Sequence, residues 1–197
     1  SWHYAHLGSL ATSGASMLTI ESTAVNMNGR ITLKDLCLSN KKQFLSFKKL
    51  IKYIKEISNI PICIQLSHAG RKGSSHIPWE KPNSPLKKHE NSWSTFSSSE
   101  IPKDKGWPKP KRLNLNQIKK IIIDFYKSAK LAKKLGVDGI EIHMAHGYLL
   151  HQFLSPICND RKDEFGGSFK NRIKFPIQIL KKIKKVWPKN KILGARI

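Results

Sequence analysis

The sequence has few acidic residues, few cysteines and no long apolar run. Only 13 of its 197 residues are aspartate or glutamate, against 36 lysines and arginines, so the formal net charge is +23. No stretch of about eighteen apolar residues occurs, and we therefore expect no membrane-spanning segment. The three cysteines, Cys37, Cys63 and Cys158, are odd in number and lack metal-ligand spacing. They favour reduced thiols in a cytoplasmic protein.

Neither end of the sequence has the features of a natural chain end. The first residues, SWHYAHLGS, contain neither the basic nor the apolar segment of a signal peptide, and they include no initiating methionine. The last residues, KILGARI, stop inside an apolar segment of strand type. We therefore expect this chain to be a piece of a longer protein.

The excess of positive charge raises the question of an anionic partner such as nucleic acid. In the stretches 41–58 and 115–135, however, the lysines fall on the helix face opposite an apolar stripe. No RNA-stacking motif of the RNP type is present. The pattern favours solvated helix faces, with a basic nucleic-acid-binding module as the alternative.

Helices and strands alternate along the sequence. Apolar residues at three- and four-residue spacing predict helices at 41–58, 115–135 and 169–187. Asn114 is placed to cap the second helix and Gly136 to end it. Pro176 lies inside the third, so that helix either begins late or kinks. Short apolar runs predict strands at 17–21, 61–66, 138–143 and 191–197.

This alternation predicts an α/β fold with βαβ units and a parallel sheet, of the kind found in a (β/α)₈ barrel. A complete barrel needs about 250 residues, so we expect 1–197 to form part of one, with two open sheet edges. Residues 71–112 are rich in proline, serine and lysine but contain three tryptophans. We predict an ordered loop excursion there, with a small hairpin.

The stretch EIHMAHGYLLHQ places several proton-transfer groups just after a predicted strand. Two neutral imidazoles, His143 and His146, can donate N–H bonds to one carbonyl oxygen, and Tyr148 can act as a general acid beside them. A metal site with His151 as third ligand is the competing interpretation, and it would make the protein a metal-dependent hydrolase. The HxxHxxxxH spacing matches no common zinc pattern. Buried structural histidines are the third interpretation.

Two further polar side chains end predicted strands. Gln65 would present an amide suited to a flat heterocycle, and Arg196 a guanidinium suited to an anionic edge. The stretch 155–172 mixes acids, bases and glycines, and we interpret it as a structural loop fixed by Arg–carboxylate pairs, with Ser168 capping the next helix.

The stretch EIHMAHGYLLHQFLSPICNDRKDEFGGSFKNR closely resembles the signature of the Old Yellow Enzyme family of NADH:flavin oxidoreductases. IESTAVNMNGRIT, ICIQLSHAGRK, PWE and KILGARI match in family order. The His-x-x-His-Gly-Tyr form is most similar to bacterial xenobiotic-reductase-type ene-reductases. The resemblance covers nearly all 197 residues.

The resemblance implies an FMN-dependent enzyme in which NADPH or NADH reduces the flavin and an α,β-unsaturated carbonyl compound reoxidises it. His143 and His146 would bind the substrate carbonyl oxygen, and Tyr148 would donate the proton. Gln65 and Arg196 would contact the isoalloxazine ring. Ser22 would lie against the flavin, a role that rests on the resemblance alone.

The resemblance also implies what this stretch of chain lacks. It matches about strands 2 to 5 of the barrel, without the first strand and without the phosphate-binding loops after strands seven and eight. We therefore expect the isolated chain to bind FMN poorly and to be inactive. Within the flavin enzymes, a 2,4-dienoyl-CoA reductase is the alternative, and a homo-oligomer is left open.

Overall fold

The computed structural model describes residues 2–197. Its helices are α1 (Trp2–Ala11), α2 (Lys41–Ile57), α3 (Leu115–Leu135), α4 (Leu149–Leu154), α5 (Phe169–Arg172) and α6 (Lys174–Lys184). Its strands are β1 (Leu18–Ala24), β2 (Ile62–Ser67), β3 (Phe96–Ser97), β4 (Lys111–Arg112), β5 (Gly139–His143) and β6 (Ile192–Arg196). No helix among these residues is long and apolar enough to cross a membrane.

Four strands form a parallel sheet in the order β1-β2-β5-β6. Each is joined to the next by helices that lie against one face, which is the βαβ connection required by parallel pairing. The sheet therefore has two free edges, at β1 and β6. Because all four strands run the same way, their carboxyl ends meet at one rim of the sheet.

The helix-covered face of the sheet carries the core. Ile20, Ile64, Ile140 and Ile142 lie on this face and are fully buried. They belong to one apolar cluster with Ile54 of α2, Phe125 of α3 and Ile179 of α6. The apolar residues that recur every three to four positions in the helices pack here against those that recur every two positions in the strands. Burying these two apolar faces against each other stabilises the packing of the helices on the sheet.

The opposite face of the sheet is concave and polar. Thr19 and Glu21 of β1 are exposed on it, and Gln65 and Glu141 are half-buried. A β-bulge occurs in β1, because Ile20 pairs with Ile64 and Thr23 with Leu66, so that two residues of β1 lie opposite the single residue Gln65.

The structure resolves the question raised by Pro176. The predicted helix 169–187 is two helices, α5 and α6, with Ile173 between them. Pro176 lies in the first turn of α6, where a backbone N–H has no intrahelical partner to lose. The helix therefore begins late rather than kinking. The predicted caps Asn114, Gly136 and Ser168 are confirmed.

The segment 71–112 does not contain the hairpin that we expected. Its two short strands, β3 and β4, pair in parallel, and only a single antiparallel bridge, between Ser75 and Pro85, occurs nearby. The hairpin prediction was wrong because the segment is held from outside. The Ser98 hydroxyl, for example, donates to the carbonyl oxygens of Gln152 and Cys158.

Candidate active site

Strand β5 ends at the first residue of the candidate site. His143 is 3 % exposed, and its Nδ1 accepts a hydrogen bond from the backbone N–H of Ala145 at 3.2 Å. In the neutral ring the proton therefore lies on Nε2. That Nε2 lies 3.3 Å from Nδ1 of His146. The Nε2–H of His143 therefore donates to Nδ1 of His146, which ties the two rings together at the end of the strand.

The environment of His143 keeps its ring neutral. Burial lowers its pKa from 6.5 to about 4, and the nearby His146 and Arg196 add to the effect. A neutral imidazole with its proton on Nε2 donates a hydrogen bond without carrying a charge of its own. It can therefore polarise a carbonyl oxygen at neutral pH.

Tyr148 lies beside the histidines at the start of α4. Its ring stands edge-on to that of His143, with centroids 4.8 Å apart. Burial raises its pKa, and the negative charge of Asp35 raises it further, so the phenol keeps its proton. The hydroxyl makes no hydrogen bond within residues 2–197 and is free to donate.

His151, the third ligand of the alternative metal site, supports the backbone instead. Its Nδ1 accepts the backbone N–H of Gly147 at 2.8 Å, which turns that nitrogen toward the loop. Among the described residues no three histidine, cysteine or acidic side chains are grouped as a metal ion would require.

Gln65 and Ser22 come together on the concave face. The bulge in β1 brings Glu21 and Ser22 opposite Gln65, and Ser22 is half-buried there. Nε2 of Gln65 donates to the Glu141 carboxylate at 2.6 Å, which fixes the side-chain amide. The amide oxygen of Gln65 makes no bond within residues 2–197 and is available as an acceptor.

Arg196 ends β6 directly opposite His143 in the sheet register. Its side chain is exposed and forms no hydrogen bond or salt bridge within the part of the chain that the structure describes. An amide, a hydroxyl and a guanidinium at the rim of one sheet face suit the polar edge of a flat, electron-rich ring. These residues therefore fit a flavin.

The loop 155–172 has the structural role that we predicted. Arg161, only 4 % exposed, donates to Asp163 and to the backbone oxygens of Ser98 and Leu113. Asn159 bridges two backbone carbonyls with its side-chain amide. These polar side chains of the loop are therefore hydrogen-bonded to partners in the loop and in neighbouring segments.

Sequence reasoning missed two side chains that hold the turn after β5. Nζ of Lys72 donates to the backbone oxygen of His146 at 2.7 Å, and Nε2 of Gln152 donates to that of Gly147 at 2.7 Å. Lys72 lies in the HAGRK stretch, which stands out in the sequence only for its resemblance to a family. Gln152 is fully buried, and a buried amide inside an apolar helix was the signal that could have identified it.

The site does not coincide with an enclosed cavity. A cavity of about 570 Å³ lies between α1 and α2, lined in part by Tyr4, Cys37 and Phe47, and contains none of the predicted site residues. The candidate site lies instead on the open concave face, where chemistry is expected at the carboxyl ends of parallel strands.

A family model covers the whole chain. The model of the NADH:flavin oxidoreductase / NADH oxidase family matches residues 1–197. The chain belongs to this family. Membership in the NADH:flavin oxidoreductase family confirms the predicted Old Yellow Enzyme relationship and the enzyme class, an oxidoreductase class that uses FMN and a nicotinamide reductant.

The names of curated relatives agree with this family membership. It is 40% identical over 199 aligned residues to an NADH:flavin oxidoreductase of Gibberella zeae, covering 100% of this chain and 48% of the relative. It is 38% identical over 198 residues to an NADPH dehydrogenase of Clostridium acetobutylicum, covering 100% and 53%. An NADPH dehydrogenase of Bacillus subtilis is 38% identical over 186 residues, covering 94% and 50%. The chain thus spans about half the length of these relatives.

Solved structures show the fold. Morphinone reductase superposes with a TM-score of 0.80 at 21% identity, covering 98% of this chain and 51% of that protein. Its complex with tetrahydroNAD gives 0.81 at 22% identity, covering 99% and 54%. The α/β architecture is therefore part of a (β/α)₈ barrel, as the sequence predicted.

Proposed function

We propose that the complete protein containing this chain is an FMN-dependent, NADPH- or NADH-driven reductase of the C=C bond in α,β-unsaturated carbonyl compounds. The observation that carries the proposal is the pairing of His143 Nε2 with His146 Nδ1, 3.3 Å apart, beside a Tyr148 hydroxyl that has no hydrogen-bond partner among residues 2–197. Family membership supplies the class of enzyme, and this trio supports the type of substrate.

The two histidines bind the carbonyl oxygen. The two rings bond each other in this structure, and both are held by the turn that follows β5. A carbonyl oxygen that replaces this bond would accept one N–H from each imidazole. Negative charge grows on this oxygen as the C=C bond is reduced to an enolate. Hydrogen-bond donors held close to this oxygen would stabilise the charge.

Tyr148 supplies the proton. Its raised pKa keeps the phenol protonated until the enolate forms, and the edge-on contact with His143 holds the ring beside the substrate position. The hydroxyl then donates to the α-carbon, as a general acid must from within hydrogen-bonding reach.

Ser22, Gln65 and Arg196 hold the flavin. Ser22 lies on the bulge opposite Gln65. Among residues 2–197 the Gln65 amide oxygen and the Arg196 guanidinium have no hydrogen-bond partner. The positive charge of Arg196 favours an electron-rich ring edge. A bound FMN would supply the hydride-transfer chemistry that none of these side chains has, between the nicotinamide and the β-carbon.

The cellular location and the oligomeric state are also predictions. A cytoplasmic location agrees with three free cysteines, Cys37, Cys63 and Cys158. Two large apolar side chains, Ile157 and Phe169, are exposed, which leaves room for a homo-oligomer. The metal-dependent hydrolase, the nucleic-acid-binding module and the 2,4-dienoyl-CoA reductase gain no specific support from the geometry.

The test is a visible absorption spectrum of the complete protein. We expect a flavin spectrum that bleaches with NADPH under anaerobic conditions and returns when 2-cyclohexenone is added. A protein that stays colourless after incubation with FMN would overturn the proposal. A flavin that bleaches but returns only with oxygen would keep the flavoenzyme and remove the enone substrate.

A further inference from the structure

The turn that carries His146 has an unfavourable backbone. His146 and Gly147 both have positive φ angles, +56° and +69°. Glycine adopts this left-handed conformation readily, whereas a residue with a Cβ does so only where its surroundings hold it. The position of the His146 ring therefore depends on the contacts that fix the turn.

Three backbone groups of this turn have side-chain partners. The Gly147 N–H donates to His151 and the Gly147 oxygen accepts from Gln152, and both partners lie on α4, which directly follows the turn. The His146 oxygen accepts from Lys72 at 2.7 Å. Lys72 lies in the 3-10 turn Gly70–Lys72 after β2, 74 residues away along the chain.

Lys72 also contacts the turn through the rest of its side chain. A Cβ added at Gly147 would lie 3.1 Å from Cε of Lys72, so the lysine stem packs directly against that glycine. Its ammonium group lies 5.6 Å from the centre of the Tyr148 ring. One side chain therefore bonds the backbone of His146, packs against Gly147 and lies near the ring of Tyr148.

Burial strengthens these contacts. Lys72 is half-buried, which lowers the pKa of its ammonium group, and the neighbouring Arg71 lowers this pKa further. A partly desolvated ammonium bonds a carbonyl oxygen more strongly than an exposed one does. His146 lies in the turn between β5 and α4, outside the regular backbone bonding of either element, and its carbonyl oxygen accepts from Lys72.

We propose that Lys72 is a positioning residue of the active site, which holds the left-handed His146–Gly147 turn and the Tyr148 ring from the loop after β2. This inference rests on the proposed function. Because the same loop follows Gln65, Lys72 also links the flavin-binding strand to the substrate-binding turn. Lys72 itself need not touch the substrate.

The experiment replaces Lys72 with methionine, which keeps the length of the stem and removes the donor, and with arginine, which keeps a charged donor. Lys105→Met serves as the matched control, because Lys105 is exposed in the 71–112 excursion and its side chain makes no hydrogen bond within residues 2–197. For each complete, FMN-loaded protein, three quantities are measured: the FMN dissociation constant, the melting temperature, and the rate of flavin reoxidation by saturating 2-cyclohexenone.

We expect Lys72→Met to slow reoxidation about 10- to 100-fold, since a misplacement of about 1 Å has effects of that size. The FMN dissociation constant should stay within about twofold, and Lys72→Arg should recover part of the rate. A Lys72→Met rate equal to that of Lys105→Met would overturn the inference. So would a lower melting temperature with an unchanged rate per bound flavin, which indicates a merely structural lysine. A wild-type protein that fails to reoxidise with the enone would contradict the proposed function instead.

Discussion

The loop 155–172 and the rim of the sheet both carry arginine and other polar side chains, but they use them in opposite ways. In the loop 155–172, Arg161 is buried and every part of its guanidinium donates to the protein. At the rim of the sheet, Arg196 is exposed and its guanidinium has no partner among residues 2–197. The same contrast separates Asn159, which bridges two carbonyls, from Tyr148, whose hydroxyl is free.

The contrast indicates which polar residues of such a fold can bind a ligand. A polar group whose hydrogen bonds are all made within the chain stabilises the structure and is unavailable to a ligand. A polar group held in place by its neighbours, with its functional atom left free, is prepared to bind something else. Four changes to the chain test this division, in order of decreasing effect.

The largest effect is expected from Arg161. Arg161→Met would leave the carbonyl oxygens of Ser98 and Leu113 buried without a donor, and we expect a loss of about 4 kcal/mol in the free energy of unfolding. Arg196→Met should leave that free energy unchanged and weaken FMN binding instead. Denaturant unfolding and FMN titration of the complete protein measure both, and equal destabilisation by the two changes would contradict the division.

A second test uses His68, which is buried at the end of the concave face. Burial lowers its pKa to about 4, and its Nδ1 accepts the Gly70 N–H. Since the unfolded chain binds a proton near pH 6.5 and the folded chain only near 4, stability should fall by about 3 kcal/mol as the pH drops through that window. Above pH 6.5 both states are neutral and this contribution is constant.

His68→Asn keeps an acceptor and removes the titration, so the unfolding free energy should vary less between pH 6.5 and 4. The same change at exposed His89 should leave the pH dependence as it is in the wild type. A His68→Asn profile as steep as the wild-type profile would show that other groups cause the acid sensitivity.

The third test concerns the free hydroxyl of Tyr148. Tyr148→Phe removes the proton donor alone, so flavin reduction by NADPH should stay within about twofold while reoxidation by 2-cyclohexenone slows about 100-fold. Stopped-flow absorbance separates the two half-reactions. Tyr126→Phe on the outer helix α3 is the control, and a Tyr148→Phe enzyme with both half-reactions intact would exclude this residue as the acid.

The smallest effect is expected from alanine substitutions at two glycines that have similar backbone conformations. Gly147 and Gly167 have φ angles of +69° and +73°, but a Cβ added at Gly147 would lie 3.1 Å from Lys72, whereas one added at Gly167 would meet open space. Gly167→Ala should destabilise by about 1 kcal/mol through φ alone, and Gly147→Ala by about 2 kcal/mol. Thermal unfolding of both variants measures the difference, and equal values would show that Lys72 moves aside freely.

The sequence predicted the main elements because their signals are local. The apolar stripe of α3 lies between Asn114, whose side chain caps the helix, and Gly136, whose positive φ ends it. Helix α1 was missed because only Leu7, Gly8 and Ala11 are buried, too few to form a recognisable stripe. The six-residue helix α4 was missed because helices this short form only through packing.

The candidate site divides in the same way. His143, His146 and Tyr148 stood out because they follow one strand within a few positions of the sequence. Ser22 had no bottom-up signal, since its position opposite Gln65 depends on a bulge that arises between two strands far apart in the chain. Lys72 and Gln152 were missed because each donates to a backbone carbonyl oxygen. Every residue has such an oxygen, so the sequence does not reveal which of them has a side-chain partner.

By itself the sequence determined which residues form helices and strands, which faces are apolar, and which strand end carries the histidines and the tyrosine. These follow from spacing, capping and side-chain chemistry, which act over a few residues. Only the tertiary structure decided which groups are left free. That depends on partners far apart in the chain, such as Lys72 with His146 or Gln65 with Glu141, and hydrogen bonds between distant segments exist only once the sheet has brought them together.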